Sequence, residues 1–247
     1  MLFNNRVSDI SELANLTRLT SIDLKGNRIS DISPLANLTN LTYLNLDNNL
    51  IEDISPLANL TGLTGLYLRR NRITDSSPVA NLASLRNLYL DTNQIRDLTP
   101  VRSLTNLMNL DLSGNLISDV SPLAYVSNLC WLNLANNQLG DISPLATLTG
   151  LVVLSLDNNQ ISDISTLAGL TSLEDLRLAD NQIGDISPLV NLPRLTWLDV
   201  SGNQVSRIRC SCLGLLMMFR APRPLRWCCW SASYWLVRLV ARIRGTR

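Results

Sequence analysis

An asparagine recurs every 22 residues along most of the chain, and this spacing limits the fold more than any other feature. Nine of these asparagines close the pattern L-x-x-L-x-L-x-x-N, with occasional Ile or Val in place of Leu. Because the interval never varies, the chain consists of equivalent units that stack in one register. The asparagines are Asn5, Asn27, Asn49, Asn71, Asn93, Asn115, Asn137, Asn159, Asn181 and Asn203.

Each unit predicts one short strand and one short turn of helix. Leucines that alternate with a polar residue, as at 44–46, indicate a half-buried strand. A recurring pair such as Ser33-Pro34 predicts a 3₁₀-like turn, since serine can cap it and proline has no N–H to leave unpaired. One unit buries about seven apolar side chains, worth about 10–20 kcal/mol, against about 1–2 kcal/mol per ordered residue. Stability must therefore come from stacking on neighbouring units.

The segment Asp-Ile-Ser-Pro-Leu-Ala-Asn-Leu-Thr at 31–39 and the 22-residue period resemble the leucine-rich repeats of the internalin family of bacterial surface proteins. Cytosolic phosphatase-regulating leucine-rich proteins share this repeat length. The resemblance covers about residues 2–206. It implies an α/β leucine-rich repeat solenoid, a right-handed superhelix with a parallel β-sheet on the concave face and short 3₁₀ turns on the convex face. It also implies a secreted or cell-surface protein, although no signal-peptide pattern follows Met1.

The absence of histidine argues against an enzyme. It excludes Ser-His-Asp and Cys-His catalysis, His-ligated zinc and His-ligated haem. The sequence also lacks a phosphate-binding loop and has only one lysine, Lys25. We therefore expect no catalytic residue, no metal and no cofactor.

A column of aspartates lies four residues after eight of the asparagines. One interpretation is a ladder of calcium sites, and the other is that each carboxylate caps the backbone of its own turn. We favour the caps, because the glycine-rich nonapeptide of calcium-binding β-rolls is absent. The column comprises Asp31, Asp53, Asp75, Asp97, Asp119, Asp141, Asp163 and Asp185.

The third, fifth and seventh positions of L-x-x-L-x-L-x-x-N point out of the inner sheet, where a partner could bind. Large aromatic residues occupy five of these positions, and tyrosine, tryptophan and arginine dominate binding hot spots. The internalin resemblance implies the same face, although aromatic residues also simply prefer strands. We predict a non-enzymatic interaction module whose unidentified protein partner contacts Tyr43, Tyr67, Arg69, Tyr89, Asp91, Trp131 and Trp197.

Charge divides the chain into two segments. Residues 1–208 carry 13 basic and 20 acidic residues, whereas residues 209–247 carry eight arginines and no acid. We assign a leucine-rich repeat domain of about nine to ten repeats, without a clear N-terminal cap, to 1–208, and a basic Cys/Trp/Arg-rich tail to 209–247. The overall charge of +1 gives no reason to expect a nucleic-acid partner.

Three interpretations of the tail stay open: an out-of-frame translation, a C-terminal cap, and a membrane-surface segment. Within residues 235–244, four apolar side chains share one helical face and two arginines another, which is a basic amphipathic pattern. The alternative function is therefore a membrane-surface-associated protein held by this tail, with the repeats as a spacer. Membrane contact is expected only through the tail.

Overall fold

The computed structural model describes residues 2–206, and these form a single nine-stranded sheet whose strands follow one another in chain order. All neighbouring strands are parallel and are offset by one repeat, so that Leu44 lies opposite Leu66 and Leu66 opposite Leu88. The strands are β1 (Ser21–Asp23), β2 (Tyr43–Asn45), β3 (Gly65–Tyr67), β4 (Asn87–Tyr89), β5 (Asn109–Asp111), β6 (Trp131–Asn133), β7 (Val153–Ser155), β8 (Asp175–Arg177) and β9 (Trp197–Asp199).

Short 3₁₀ helices, one per coil, carry the chain along the opposite side of the solenoid. The predicted α/β leucine-rich repeat solenoid is confirmed. The helices are η1 (Ser11–Asn15), η2 (Ser33–Leu35), η3 (Ser55–Leu57), η4 (Ser77–Asn81), η5 (Thr99–Ser103), η6 (Ser121–Tyr125), η7 (Ser143–Thr147), η8 (Ser165–Gly169) and η9 (Ser187–Asn191).

The leucines and isoleucines of all coils form one continuous core. Leu44 and Leu46 of the strand side and Leu57 of the helix side are fully buried, and the same holds for their equivalents in the middle coils. Because these positions are used by the scaffold, the side chains at the outer positions of the sheet are free to vary from coil to coil.

The asparagine column connects neighbouring coils by hydrogen bonds. The Asn49 side-chain amide donates to the carbonyls of Leu24 (3.1 Å) and Leu46 (3.0 Å), and its oxygen accepts the backbone N–H of Ile29 at 3.1 Å. The same three bonds recur at the other internal positions, Asn71 for example. The column is therefore structural, since each amide bonds backbone groups of its own coil and of the preceding coil.

The aspartate column caps the turns, as predicted. Asp53 Oδ1 accepts the backbone N–H of Ser55 at 2.7 Å, and equivalent bonds occur in the other coils. The prediction that serine is the cap is wrong, because serine is the first helical residue and its side chain caps no backbone group. The Ser55 hydroxyl instead donates to Asp53 Oδ2 at 2.9 Å.

The tail assigned to residues 209–247 lies outside the described residues, and so do the three interpretations of it. Within residues 2–206, no helix is long and apolar enough to cross a bilayer.

Candidate functional site

Four aromatic side chains form a continuous row across the sheet from β2 to β6. We call Tyr43, Tyr67, Tyr89 and Trp131 the aromatic row. The rings of Tyr67 and Tyr89 are stacked, with centroids 4.9 Å apart and planes at 11°. Tyr43 packs against Tyr67 at 5.2 Å and Trp131 against Tyr89 at 6.2 Å, both tilted by about 45°. The three tyrosines therefore lie together on the sheet, and Trp131 extends the row.

Strand register explains the stack. Tyr67 and Tyr89 are direct partners in the β3–β4 pair, so their side chains leave the same face one strand spacing apart. That spacing, about 4.8 Å, is close to the preferred separation of stacked rings. Trp131 reaches Tyr89 across β5, whose outward residues Asn109 and Asp111 have short side chains.

Gly65 makes room for the first two rings, and sequence reasoning missed this role. A Cβ atom at Gly65 would lie 3.3 Å from the Tyr67 ring and 3.6 Å from the Tyr43 ring. A Cβ there would touch the Tyr43 ring at an ordinary contact distance but would need the Tyr67 ring to move by a few tenths of an ångström. The available signal was a glycine in the outward column that elsewhere carries side chains such as Tyr43 and Trp131.

Arg69 and Asp91 lie beside the row, one coil apart. The Arg69 guanidinium carbon is 4.1 Å from the centroid of the Tyr89 ring, which is a cation–π contact. Arg69 Nε also lies 3.0 Å from Asp91 Oδ1. Both of these atoms are buried, yet the pair lacks hydrogen-bond geometry, so it is an ion pair only. Arg69 thus links the carboxylate to the stacked rings.

Burial raises the pKa of several acidic groups in and beside the aromatic row. The pKa of Asp91 is raised to about 6, first because the carboxylate is desolvated and then because Asp111 is near, while Arg69 opposes the rise. Burial also raises the pKa of Asp47, against the backbone N–H of Arg69 that Asp47 accepts. Desolvation raises the pKa of Tyr89 as well, which further favours its neutral hydroxyl.

We expect Asp91 to make folding stability depend on pH between about 4 and 6. Because the folded pKa exceeds the ordinary value of 3.8, the proton binds the folded state more tightly, and stability rises as pH falls through this window. The difference corresponds to at most about 3 kcal/mol. Asp91→Asn should remove this gain, measured as the wild-type minus variant difference in urea unfolding free energy at several pH values.

Asp141→Asn is the control, since the Ser143 backbone N–H lowers the pKa of Asp141. The stability that Asp141 contributes should be lost as pH falls below about 4, which is the opposite pH dependence to that of Asp91. A wild-type minus Asp91→Asn difference that stays constant from about pH 7 to 4 contradicts the prediction.

Trp197 does not join the other predicted residues. It lies half-buried on β9, and among the described aromatic residues none makes a ring contact with it. Two intervening strands carry Val153 and Asp175 at the equivalent position. The structure thus brings six of the predicted residues together and leaves Trp197 apart.

The opposite side of the solenoid has one aromatic feature of its own. Tyr125 is 57% exposed, and the Arg102 guanidinium lies 4.7 Å from its ring centroid. A shallow groove runs beside them over η4 and η5. In residues 2–206, no cluster of three or more acidic or cysteine side chains could hold a metal ion.

Two leucine-rich repeat family models match the chain, one at residues 1–37, 17–59, 61–103 and 127–169 and the other at residues 149–205. An internalin (InlF) of Listeria monocytogenes is 43% identical over 85% of this chain, with a TM-score of 0.83. This chain covers 63% of that protein, which is less than two thirds of its length. No curated protein matches the chain significantly.

Two further solved structures extend the comparison. Internalin C2 of Listeria monocytogenes is 38% identical over 81% of this chain and 78% of its own, with a TM-score of 0.59. The leucine-rich repeat ectodomain of the Arabidopsis thaliana receptor kinase GASSHO1/SCHENGEN3 is 28% identical over 79% of this chain and 26% of its own, with a TM-score of 0.70. That ectodomain is in complex with Casparian strip integrity factor 2. The chain therefore belongs to the leucine-rich repeat family, and its repeats are internalin-like.

Proposed function

We propose that this chain is a non-enzymatic module that binds a protein partner on the concave face of its sheet. The partner would contact the aromatic row together with Arg69 and Asp91, and Trp197 would be a separate contact farther along the face. The aromatic row is the observation that carries the proposal, because its rings pack on one another outside the core and remain partly exposed. The module comprises residues 1–208.

The mechanism is rigid display of a preformed surface. Each ring is held by its neighbour in the row and is attached to a strand paired on both sides, so little conformational entropy is lost on binding. Aromatic residues combine a large apolar area with few rotatable bonds, and they dominate binding hot spots for that reason.

The comparisons support a protein partner in general terms. Leucine-rich repeats are interaction scaffolds, and the plant ectodomain with this fold is in complex with a protein factor. The similarity to the two internalins supports a role at the cell surface or after secretion. The scaffold columns of the repeat, asparagine and aspartate, are occupied by backbone hydrogen bonds and leave no catalytic group among them.

The double variant Tyr67→Ala/Tyr89→Ala is expected to lose partner binding while the fold persists. Protein or peptide ligands are first selected from a display library on the immobilised wild-type chain. Loss of two central rings should then weaken most of the selected ligands by about 100-fold or more. The melting temperature, followed by circular dichroism, should hardly change, because neither side chain belongs to the core.

Tyr125→Ala is the matched control, since this tyrosine lies at the end of η6 and is well exposed. Ligands should bind this variant as they bind wild type. Selected ligands that keep their affinity for Tyr67→Ala/Tyr89→Ala, or that lose it for Tyr125→Ala, would place the binding surface elsewhere and refute the proposal.

A further inference from the structure

The concave face carries more acid than its own basic residues can neutralise. Its outward positions hold seven carboxylates and three cations. Two of the cations are engaged with carboxylates of the same face, Arg69 with Asp91 and Arg177 with Asp175, each at 3.0 Å. The seven carboxylates are Asp23, Asp47, Asp91, Asp111, Asp157, Asp175 and Asp199.

Two carboxylates beside the aromatic row have only neutral hydrogen-bond donors. Asp47 is 5% exposed, and its Oδ1 accepts the backbone N–H of Arg69 at 2.8 Å. Asp111 is 7% exposed, and its Oδ1 accepts the backbone N–H and hydroxyl of Ser113. In the part of the chain that the structure describes, neither carboxylate has an ion-pair partner. The charges of Arg69 and Lys25 act to lower the pKa of Asp47, but neither side chain forms an ion pair with it, so a cation that arrives with a ligand would add a direct partner for both carboxylates.

The other arginines near the row do not fill this role. Arg70 and Arg86 stand at the two edges of the strands, where both are exposed. Neither forms an ion pair with a residue in the range 2–206. The surface between them thus remains acidic along the line of the rings.

Arg69 shows how a guanidinium is held here. It lies over the Tyr89 ring at 4.1 Å while Asp91 provides the countercharge. Tyr43 and Trp131 offer further ring faces, and among the described residues no cation lies over them. Tryptophan is the strongest aromatic partner for a cation, so the row has room for a second contact of the same kind.

We propose that the partner of this face presents a basic segment, whose arginine or lysine side chains lie over Tyr43 and Trp131 and pair with Asp47 and Asp111. This inference rests on the proposed function and adds the chemistry of the partner to it. The supporting observation is complementarity: stacked rings and carboxylates without an ion pair together match a cationic side chain with an apolar stem.

The test uses the full chain and three fluorescent peptides that alternate glycine with arginine, serine or glutamate. A peptide of about ten residues reaches about 33 Å when extended, more than the roughly 19 Å from β2 to β6. Fluorescence anisotropy should show binding of the arginine peptide, at least tenfold weaker binding of the serine peptide, and no binding of the glutamate peptide. Added sodium chloride should weaken the arginine complex.

The variant Asp47→Asn/Asp111→Asn should bind the arginine peptide at least tenfold more weakly than wild type. Asparagine keeps an oxygen acceptor for the same backbone N–H groups, so the fold is retained. The matched control is Asp157→Asn/Asp199→Asn: Asp157 accepts the Ala179 N–H at 2.8 Å and Asp199 accepts the Ser201 N–H and hydroxyl. These two aspartates occupy the same columns far from the row, and their loss should change affinity less than twofold.

The outcomes separate this inference from the proposed function. The inference of a basic segment is wrong if the wild type does not bind the arginine peptide. It is also wrong if the two aspartate variants lose affinity for that peptide equally. If the serine or glutamate peptide binds best and Tyr67→Ala/Tyr89→Ala abolishes that binding, the inference fails while the proposed function stands. If the arginine peptide binds wild type and Tyr43→Ala/Trp131→Ala equally well, the inference fails, because the cationic side chains would not lie over those two rings.

Discussion

Replacing Asn115 with alanine is expected to lower the free energy of unfolding by about 2–6 kcal/mol. The Asn115 amide donates to the carbonyls of Leu90 and Leu112, both at 3.0 Å, and its oxygen accepts the Ile95 N–H at 3.0 Å. Asn115 is 6% exposed, so the Ile95 N–H would be left buried without a partner, while the carbonyls of Leu90 and Leu112 would keep only the amides of Asn93 and Asn137. The orphaned N–H costs about 1–3 kcal/mol, and each of the two lost bonds to a carbonyl costs about 0.5–1.5 kcal/mol.

The loss should spread beyond the mutated coil. Two of the three bonds join Asn115 to the preceding coil, so the substitution weakens the interface between two neighbours. A solenoid is stable only through such interfaces, and a weak one in the middle lets the two halves unfold separately. Urea unfolding followed by far-ultraviolet circular dichroism should show a lower midpoint and a broader transition than wild type.

Asn128→Ala is the matched control for Asn115→Ala, because it removes an asparagine that does not belong to the buried asparagine column. Asn128 is exposed and donates a single bond to the Thr105 carbonyl at 2.8 Å, so water can replace it. Its loss should cost no more than about 1 kcal/mol. If Asn115→Ala and Asn128→Ala lower the free energy of unfolding by similar small amounts, the asparagine column does not hold the coils together.

The sequence predicts the scaffold well because each scaffold residue repeats at the same offset. A column that recurs without exception, such as Asn49 and Asn71, reports a constraint imposed on every coil. The serine cap was the failure within this scaffold. Both Asp53 and Ser55 are good capping residues by type, and only the backbone geometry shows that the aspartate reaches the free N–H.

The site is less predictable, since it is made of residues that do not repeat. The alternation of leucines with other residues along each strand was enough to place Tyr67 and Tyr89 on the outer face of the sheet, but it does not show how their rings pack. The role of Gly65 depends on the conformations that the neighbouring rings adopt. The raised pKa of Asp47 depends on how deeply its carboxylate is buried, which no spacing rule supplies.

Deletion of residues 134–155 should leave a folded solenoid that is shorter by one coil. The deletion removes 22 residues and joins Asn133 to Leu156, which is the equivalent of Leu134. β6 would then pair with β8, placing Leu132 opposite Leu176 in the same register. At about 0.05–0.15 kcal/mol per residue, the free energy of unfolding should fall by about 1–3 kcal/mol. The urea m-value should drop by about a tenth, in proportion to the surface exposed.

Deletion of residues 134–144 is the matched control, and it should have a far larger effect. It removes half a repeat, so Leu145 from the helix side would follow Asn133 where a strand-side leucine belongs. The asparagine ladder would be interrupted between Asn115 and Asn159, and β7 to β9 could no longer continue the sheet from β6. The part after the junction would hold at most three coils, about the minimum number that folds alone, so it should be more open to limited proteolysis than the coils before the junction. If the two deletion variants are equally stable, repeat register is not what stabilises the solenoid. If the full-coil deletion folds and keeps its aromatic row, each coil depends only on its neighbours.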